Sequence, residues 1–301
     1  MTDEPLEDRR PGGPQHRRCL LCRSPLLKPL RGYESARLLR CAECRFVFSG
    51  SVPTAAELEE HYETYGRDDY LSPLTARRYH ELLDRFEAAR VNNRILDVGC
   101  GVGHFLAVAK GRGWEVYGTE LTDRAVEICA RKGIEMRKGR LDACNYGPEF
   151  FDVVTSIETI EHVNNPSEDV CNIRTVLRTR GLLYLTTPNF NSLSRRLLGS
   201  SWNVIEYPEH LCYYTPETMT ALLRGRGFEG VEIQTTGVSL TRWKTSLKLS
   251  DEKLISADSG DEKVRAMLEG NRALRALKRL VNHALTLSGS GDSMKVTARK
   301  A

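Results

Sequence analysis

The 301-residue sequence has no run of about 18 apolar residues, so nothing in it reads as a bilayer-spanning helix. Its opening stretch, MTDEPLEDRRPGGPQHRR, has no apolar segment and therefore does not read as a secretory leader. Neither sign of charge dominates. Forty-four Lys and Arg against 40 Asp and Glu leave a net +4, compatible with an anionic ligand but too weak to argue for nucleic acid. No internal repeat is present. At 40% hydrophobic and 28% charged residues the composition is that of an ordinary globular chain, long enough for one α/β domain and a smaller module.

Nine cysteines divide into two populations. Cys100, Cys129, Cys144, Cys171 and Cys212 are scattered singly; Cys19, Cys22, Cys41 and Cys44 form two close pairs. An odd total without a leader points to reduced thiols in the cytoplasm. Cys-x2-Cys, eighteen residues, then Cys-x2-Cys is the spacing of a four-thiolate zinc site. Four thiolates leave no open coordination position, so such a zinc is structural. A module this short needs that staple to fold.

The chain divides on pattern into a charged, Pro- and Gly-rich tail (1–17), a zinc-ribbon-like module (18–50), a helical cap (51–90) and a larger domain (91–301) with an insertion at about 241–290. Arg45-Phe46-Val47-Phe48 is β-like. Thr54 with Glu57 reads as a helix start, and a second helix is expected over Thr75 to Ala89. From Arg94 the period changes. Short apolar runs at Arg94–Val98, Trp114–Thr119, Phe151–Ser156 and Leu182–Thr186 alternate with helical stretches near 103–112, 123–132 and 168–179. That alternation implies an α/β fold with a parallel sheet covered on both faces. Pro216 to Arg224 reads as a helix, Val231–Thr235 as a strand and Met294–Lys300 as a final strand.

The most informative segment is Asp97-Val98-Gly99-Cys100-Gly101-Val102-Gly103-His104. A dinucleotide fingerprint would have glycine where His104 stands. An acidic residue just ahead of the glycines suits a cationic ligand better than a pyrophosphate, which prefers a bare helix N-terminus. Glu120, ending the next strand, can accept both hydroxyls of a ribose. With Asp142 before the fourth strand, Phe151-Asp152-Val153-Val154 opening it and Gly181-Leu182-Leu183 opening the fifth, the chain resembles the class I S-adenosylmethionine (SAM)-dependent methyltransferases from about residue 90 onward. The resemblance implies a doubly wound, seven-stranded, mainly parallel sheet with an antiparallel last strand. It also implies a SAM site formed by Asp97, Gly99, Cys100, Gly101, Gly103, Glu120, Leu121, Asp142 and Ile157.

The fourth strand runs into Glu158-Thr159-Ile160-Glu161-His162. On a helix, positions 158, 161 and 162 share one face, and two carboxylates with an imidazole suit a divalent cation. E-x-x-E-H also resembles the ubiquinone-pathway O-methyltransferases and the 3′-terminal RNA 2′-O-methyltransferases. In the latter a later histidine completes the site, for which His210 is the candidate. One reading is Mg²⁺ or Mn²⁺ held by Glu158, Glu161, His162 and His210, lowering the pKa of an acceptor hydroxyl. A second makes His210 or His162 a metal-free general base with Glu161 beside it. A third is purely structural.

The segment from Pro188 to Thr215, rich in Asn, Arg and aromatics, reads as acceptor-binding. Tyr65 and Tyr70 are candidates to close over the cofactor by family analogy. Arg272 to Leu287 reads as an amphipathic helix docked by Leu274, Leu277, Leu280, Val281, Ala284 and Leu285, its arginines solvated; a lid over an anionic substrate and a peripheral membrane contact are the alternatives. The leading expectation is methylation of a hydroxyl on a small molecule or glycan. The module also resembles the zinc-binding part of bacterial sugar C-methyltransferases, so carbon methylation is one alternative. RNA methylation through the zinc ribbon is another, weakened by Tyr33 being the one aromatic between Cys19 and Cys44, among Arg23, Lys28, Arg31, Arg37 and Arg40. A non-catalytic SAM sensor is the remaining one.

Overall fold

The computed structural model describes residues 15–54, 56–58, 71–238, 246 and 271–301. The tail to residue 14, Tyr65, Tyr70 and most of the 241–290 insertion lie outside the described residues. Among the described residues no helix is long and apolar enough to cross a membrane.

Two sheets organise the chain. The larger has seven strands: β4 (Arg94–Val98), β5 (Glu115–Glu120), β6 (Glu135–Lys138), β7 (Phe151–Ile157), β8 (Leu177–Pro188), β10 (Phe228–Thr236) and β11 (Ser293–Lys300), in the order β10-β11-β8-β7-β4-β5-β6. The strands from β8 to β6 run parallel, and β11 is antiparallel to β8 and to β10. Alternation along the strands sends side chains to two cores. Ile95, Val153, Leu182 and Tyr184 pack under α1 (Pro73–Phe86) and α2 (His104–Gly111). Leu96, Val154, Leu183 and Leu185 pack under α4 (Pro166–Val176) and α6 (Pro216–Arg224). Helix α3 (Asp123–Arg131) follows β5, and β6 is a strand that the sequence reading did not anticipate, since Glu135–Lys138 has little apolar pattern.

Asp152 is structural. Its buried carboxylate pairs with Arg178 at 2.8 Å and accepts from the backbone N–H groups of Val91 and Asn92, tying the entry of β4 to β7. A lone buried charge would be costly, and these partners offset that cost.

The smaller sheet contains β1 (Leu27–Pro29), β2 (Leu38–Cys41), β3 (Val47–Ser49) and β9 (Cys212–Tyr213), in that order. Its fourth strand therefore comes from the segment after β8. Phe46 and Phe48 enter the same core as α4 and α6, with the Phe46 ring tilted against Tyr214 at 5.2 Å. Tyr33 and Leu38 pack with Phe190, Trp202 and Tyr213. The cysteine module thus borrows core from the large domain.

Helix α7 (Arg272–Leu287) departs from expectation. Leu274 and Leu285 are half-buried, but Leu277, Leu280, Val281 and Leu287 are exposed. Rotation is set by polar anchors to β10: Thr235 Oγ1 donates to the Leu285 carbonyl at 2.6 Å, Thr286 Oγ1 to the Thr235 carbonyl, and the Gly237 N–H to Asn282 Oδ1.

Candidate active site

The loop after β4 turns on three glycines with positive φ: Gly99 (69°), Gly101 (55°) and Gly103 (75°). Two of them are also enforced by contact. A Cβ on Gly99 would sit 2.5 Å from Thr159 Cγ2, and one on Gly103 2.6 Å from Ile134 Cδ1. Asp97, buried near the end of β4, accepts from Thr155 Oγ1 at 2.6 Å. Burial pushes its carboxyl up to about 7; the Thr155 bond opposes that rise and the Glu120 charge adds to it. A cationic group at this carboxyl would restore its ionisation.

Glu120, at the end of β5, lies on the loop itself. Its carboxylate accepts from the N–H of Gly101 at 2.9 Å and of Leu121 at 2.7 Å. The glycine loop and the acidic strand end therefore meet, as the sequence implied. Leu121 is exposed, and Asp142 caps a short turn through the Cys144 N–H at 2.9 Å. Ile157 closes β7, half-buried, and Cys100 lies between the first two glycines with its sulfur 4.0 Å from that of Cys129. Sequence reasoning missed Thr155 and Thr159. A small hydroxyl residue at a strand end carries no pattern of its own; only the tertiary contact reveals it.

Thr159 leads from the glycine loop into a 3₁₀ turn, Ile160–His162. Glu161, His162 and His210 present ligand-capable atoms within 4.8 Å of one another. His162 Nδ1 lies 2.7 Å from the Glu209 carbonyl and His210 Nδ1 2.7 Å from the Val204 carbonyl, with the rings 4.9 Å apart. A carbonyl only accepts, so each Nδ1 is the donor in its contact. Glu161 is buried and accepts from Thr187 Oγ1 at 2.9 Å. The Leu211 N–H donates to its carbonyl at 2.8 Å, which carries His210 alongside.

Glu158 does not join this group. The expected continuous helix over 158–162 is absent: Glu158 has φ 51° and hydrogen-bonds through its N–H to Thr186, and only Ile160–His162 is helical. The i, i+3, i+4 relation therefore does not hold for position 158.

Much of the expected acceptor segment is scaffold. Trp202, Tyr213 and Tyr214 are buried in the cores between domain and module, Asn189 is buried with its amide donating to the Gly289 and Gly291 carbonyls, and Arg195 stacks on Phe190. Asn191, Arg196, Tyr207 and His210 remain toward the surface.

The four paired cysteines converge, with their sulfurs within 4.8 Å of one another, Cys19 to Cys44 at 3.4 Å and Cys22 to Cys41 at 3.5 Å. Each Cys-x2-Cys forms the same tight turn. Arg23 N–H donates to the Cys19 carbonyl with Arg23 at φ 64°, and Arg45 N–H to the Cys41 carbonyl with Arg45 at φ 63°. Four sulfurs this close match the donor set of a tetrahedral zinc ion.

A sequence family described as a methyltransferase domain matches residues 70–233. A ubiquinone biosynthesis O-methyltransferase of Cereibacter sphaeroides (strain KD131 / KCTC 12085) is 27% identical over 170 residues, covering 52% of this chain and 69% of that protein. One of Ruegeria sp. (strain TM1040) is 27% identical over 197 residues, covering 62% and 79%. Among solved structures, a SAM-dependent methyltransferase from Archaeoglobus fulgidus superposes with a TM-score of 0.52 at 20% identity, over 82% of this chain and 100% of that one; at that identity the likeness is one of fold.

Proposed function

Because the chain belongs to the methyltransferase-domain family, which matches more than half of it, and takes its methyl group from SAM, we propose that it methylates a hydroxyl on a small-molecule acceptor, with His162 and His210 receiving the proton. The carrying observation is the pair of imidazoles with Nδ1 fixed on backbone carbonyls, one turn from a glycine loop that itself contacts Thr159. The name of the curated relatives supports an oxygen acceptor.

In this reading Asp97 faces the methionine ammonium, Glu120 turns from the Gly101 N–H to the ribose hydroxyls, and Leu121 and Asp142 flank the adenine. SAM supplies an electrophilic methyl group. The acceptor hydroxyl loses its proton to Nε2 of His210 or His162 as the oxygen attacks, a contribution of about 10²- to 10⁴-fold. Glu161, held by Thr187, favours the imidazolium that results. A divalent cation held by Glu161, His162 and His210 is the competing version; it would acidify the hydroxyl as a Lewis acid. The four module cysteines hold zinc in a closed, structural site.

The test is calorimetric titration of Mn²⁺ into zinc-loaded protein holding S-adenosylhomocysteine, beside a Glu161→Ala/His162→Ala variant. Turnover of SAM with a panel of phenols, catechols and sugars is measured in parallel. Saturable Mn²⁺ binding that the variant loses replaces the base reading with the metal one. No Mn²⁺ binding, together with turnover lost in His210→Ala, supports the base. Transfer to carbon or nitrogen acceptors only would end the hydroxyl proposal.

A further inference from the structure

Helix α7 carries Arg272, Arg275, Lys278 and Arg279 and no Asp or Glu over its sixteen residues. A second helix, α5 (Leu193–Leu198), reads Leu-Ser-Arg-Arg-Leu-Leu and likewise has no acid. The two meet: the Leu193 N–H donates to the Ser290 carbonyl at 2.9 Å, just past the end of α7.

Both elements turn apolar side chains to solvent. On α7 the positions 273, 277, 280, 281, 284 and 287, spaced by three and four, form one stripe, and its large members are exposed: Leu277 56%, Leu280 68%, Val281 48% and Leu287 76%. Leu193 (44%) and Leu197 (63%) of α5 are exposed beside it. Val238 (43%) follows Gly237, whose N–H is bonded to Asn282 of α7. Seven large apolar side chains from three segments thus lie outward around one helix. Scattered exposed leucines are normal; a converging set is not.

Arg275 and Arg279 are exposed on the polar side of the helix, away from the stripe, and Arg196 is exposed next to Leu197. An apolar stripe, cations on the polar side and absent carboxylates together describe a helix lying in a membrane interface, its leucines among acyl chains.

We propose that α7, with α5 and Val238, is a docking surface for an anionic lipid bilayer. The helix would lie flat on the bilayer, spanning about 24 Å along its axis, and Asn191 and Arg196 of the acceptor-side segment would lie at the lipid edge. The proposal is independent of which atom the enzyme methylates.

The experiment is co-sedimentation of the full chain with vesicles of phosphatidylcholine alone and with added phosphatidylglycerol. The wild type is expected to partition onto the phosphatidylglycerol vesicles, less so in high salt. Leu280→Glu/Leu287→Glu is expected to lower the partition coefficient at least tenfold, and Arg275→Gln/Arg279→Gln by roughly fivefold for each charge. Because every altered side chain is exposed, each variant should keep the wild-type melting temperature and S-adenosylhomocysteine affinity, and both are measured. No sedimentation of the wild type overturns the proposal, as does equal sedimentation of wild type and variants. Sedimentation velocity supplies a further check: a concentration-dependent dimer lost in Leu280→Glu/Leu287→Glu, without lipid binding, would assign the stripe to a second copy instead.

Discussion

The cysteine cluster and the Glu161–His162–His210 group lie at two ends of one connection. Strand β9 hydrogen-bonds to β3 of the cysteine module, and the residue before it, Leu211, donates to the Glu161 carbonyl. Each cluster gathers ligand-capable atoms within 4.8 Å, yet they differ in kind. The cysteines are held by two copies of one local turn and offer four identical soft donors, which is a closed site. The second group offers two imidazoles and a carboxylate, oriented by backbone carbonyls and Thr187. The first cluster builds the platform. The second, brought together by that platform, carries the chemistry in our reading.

The comparison is broken most severely at the platform. Cys41→Ser, or stripping with a strong chelator, is expected to release one zinc per chain and to unfold the module. Since apparent zinc-binding energies in such sites are of order 10 kcal/mol, the melting temperature should fall steeply and β9 should lose protection in hydrogen exchange. A zinc-free protein with unchanged melting temperature would refute the structural assignment. His210→Ala should act oppositely, with turnover down about 10²- to 10⁴-fold while S-adenosylhomocysteine affinity is preserved.

A third test concerns Asp97, whose carboxyl is raised to about 7 by burial. The folded apoprotein then holds a proton that the unfolded chain releases near pH 4, so the contribution of this group is most favourable at low pH and declines as pH rises toward 7. About three pKa units correspond to an effect on the order of 4 kcal/mol. In Asp97→Asn that part of the decline should vanish from a pH series of denaturant unfolding, and SAM affinity should drop at least tenfold. An unchanged pH slope would contradict the assigned ionisation. The smallest effect is expected at Glu158. Lying outside the histidine group, Glu158→Gln should leave any Mn²⁺ binding unchanged, whereas Glu161→Gln should weaken it.

Local patterns were legible before the fold. The Cys-x2-Cys pairs carry their own turn geometry, and the glycines of Asp97–Gly103 carry a backbone requirement that few other residues satisfy, so spacing alone identified both. The alternation of short apolar runs with helical stretches gave the parallel sheet, because strands buried on both faces cannot read otherwise. Strand β6 escaped because an edge strand need not be apolar, and β9 because two residues are too few to show a period.

By itself, the sequence determined the α/β class, the glycine loop with its acidic partner and the four-cysteine module, since each depends on residues a few positions apart. Only the tertiary structure decided the rest. It excluded Glu158 from the histidine group through one left-handed residue and showed that Trp202, Tyr213 and Tyr214 are core. It also turned the leucines of α7 outward, because threonine and asparagine bonds to β10, and not the apolar stripe, fix that helix's rotation. Such outcomes depend on which distant backbone groups meet, and local spacing holds no record of that.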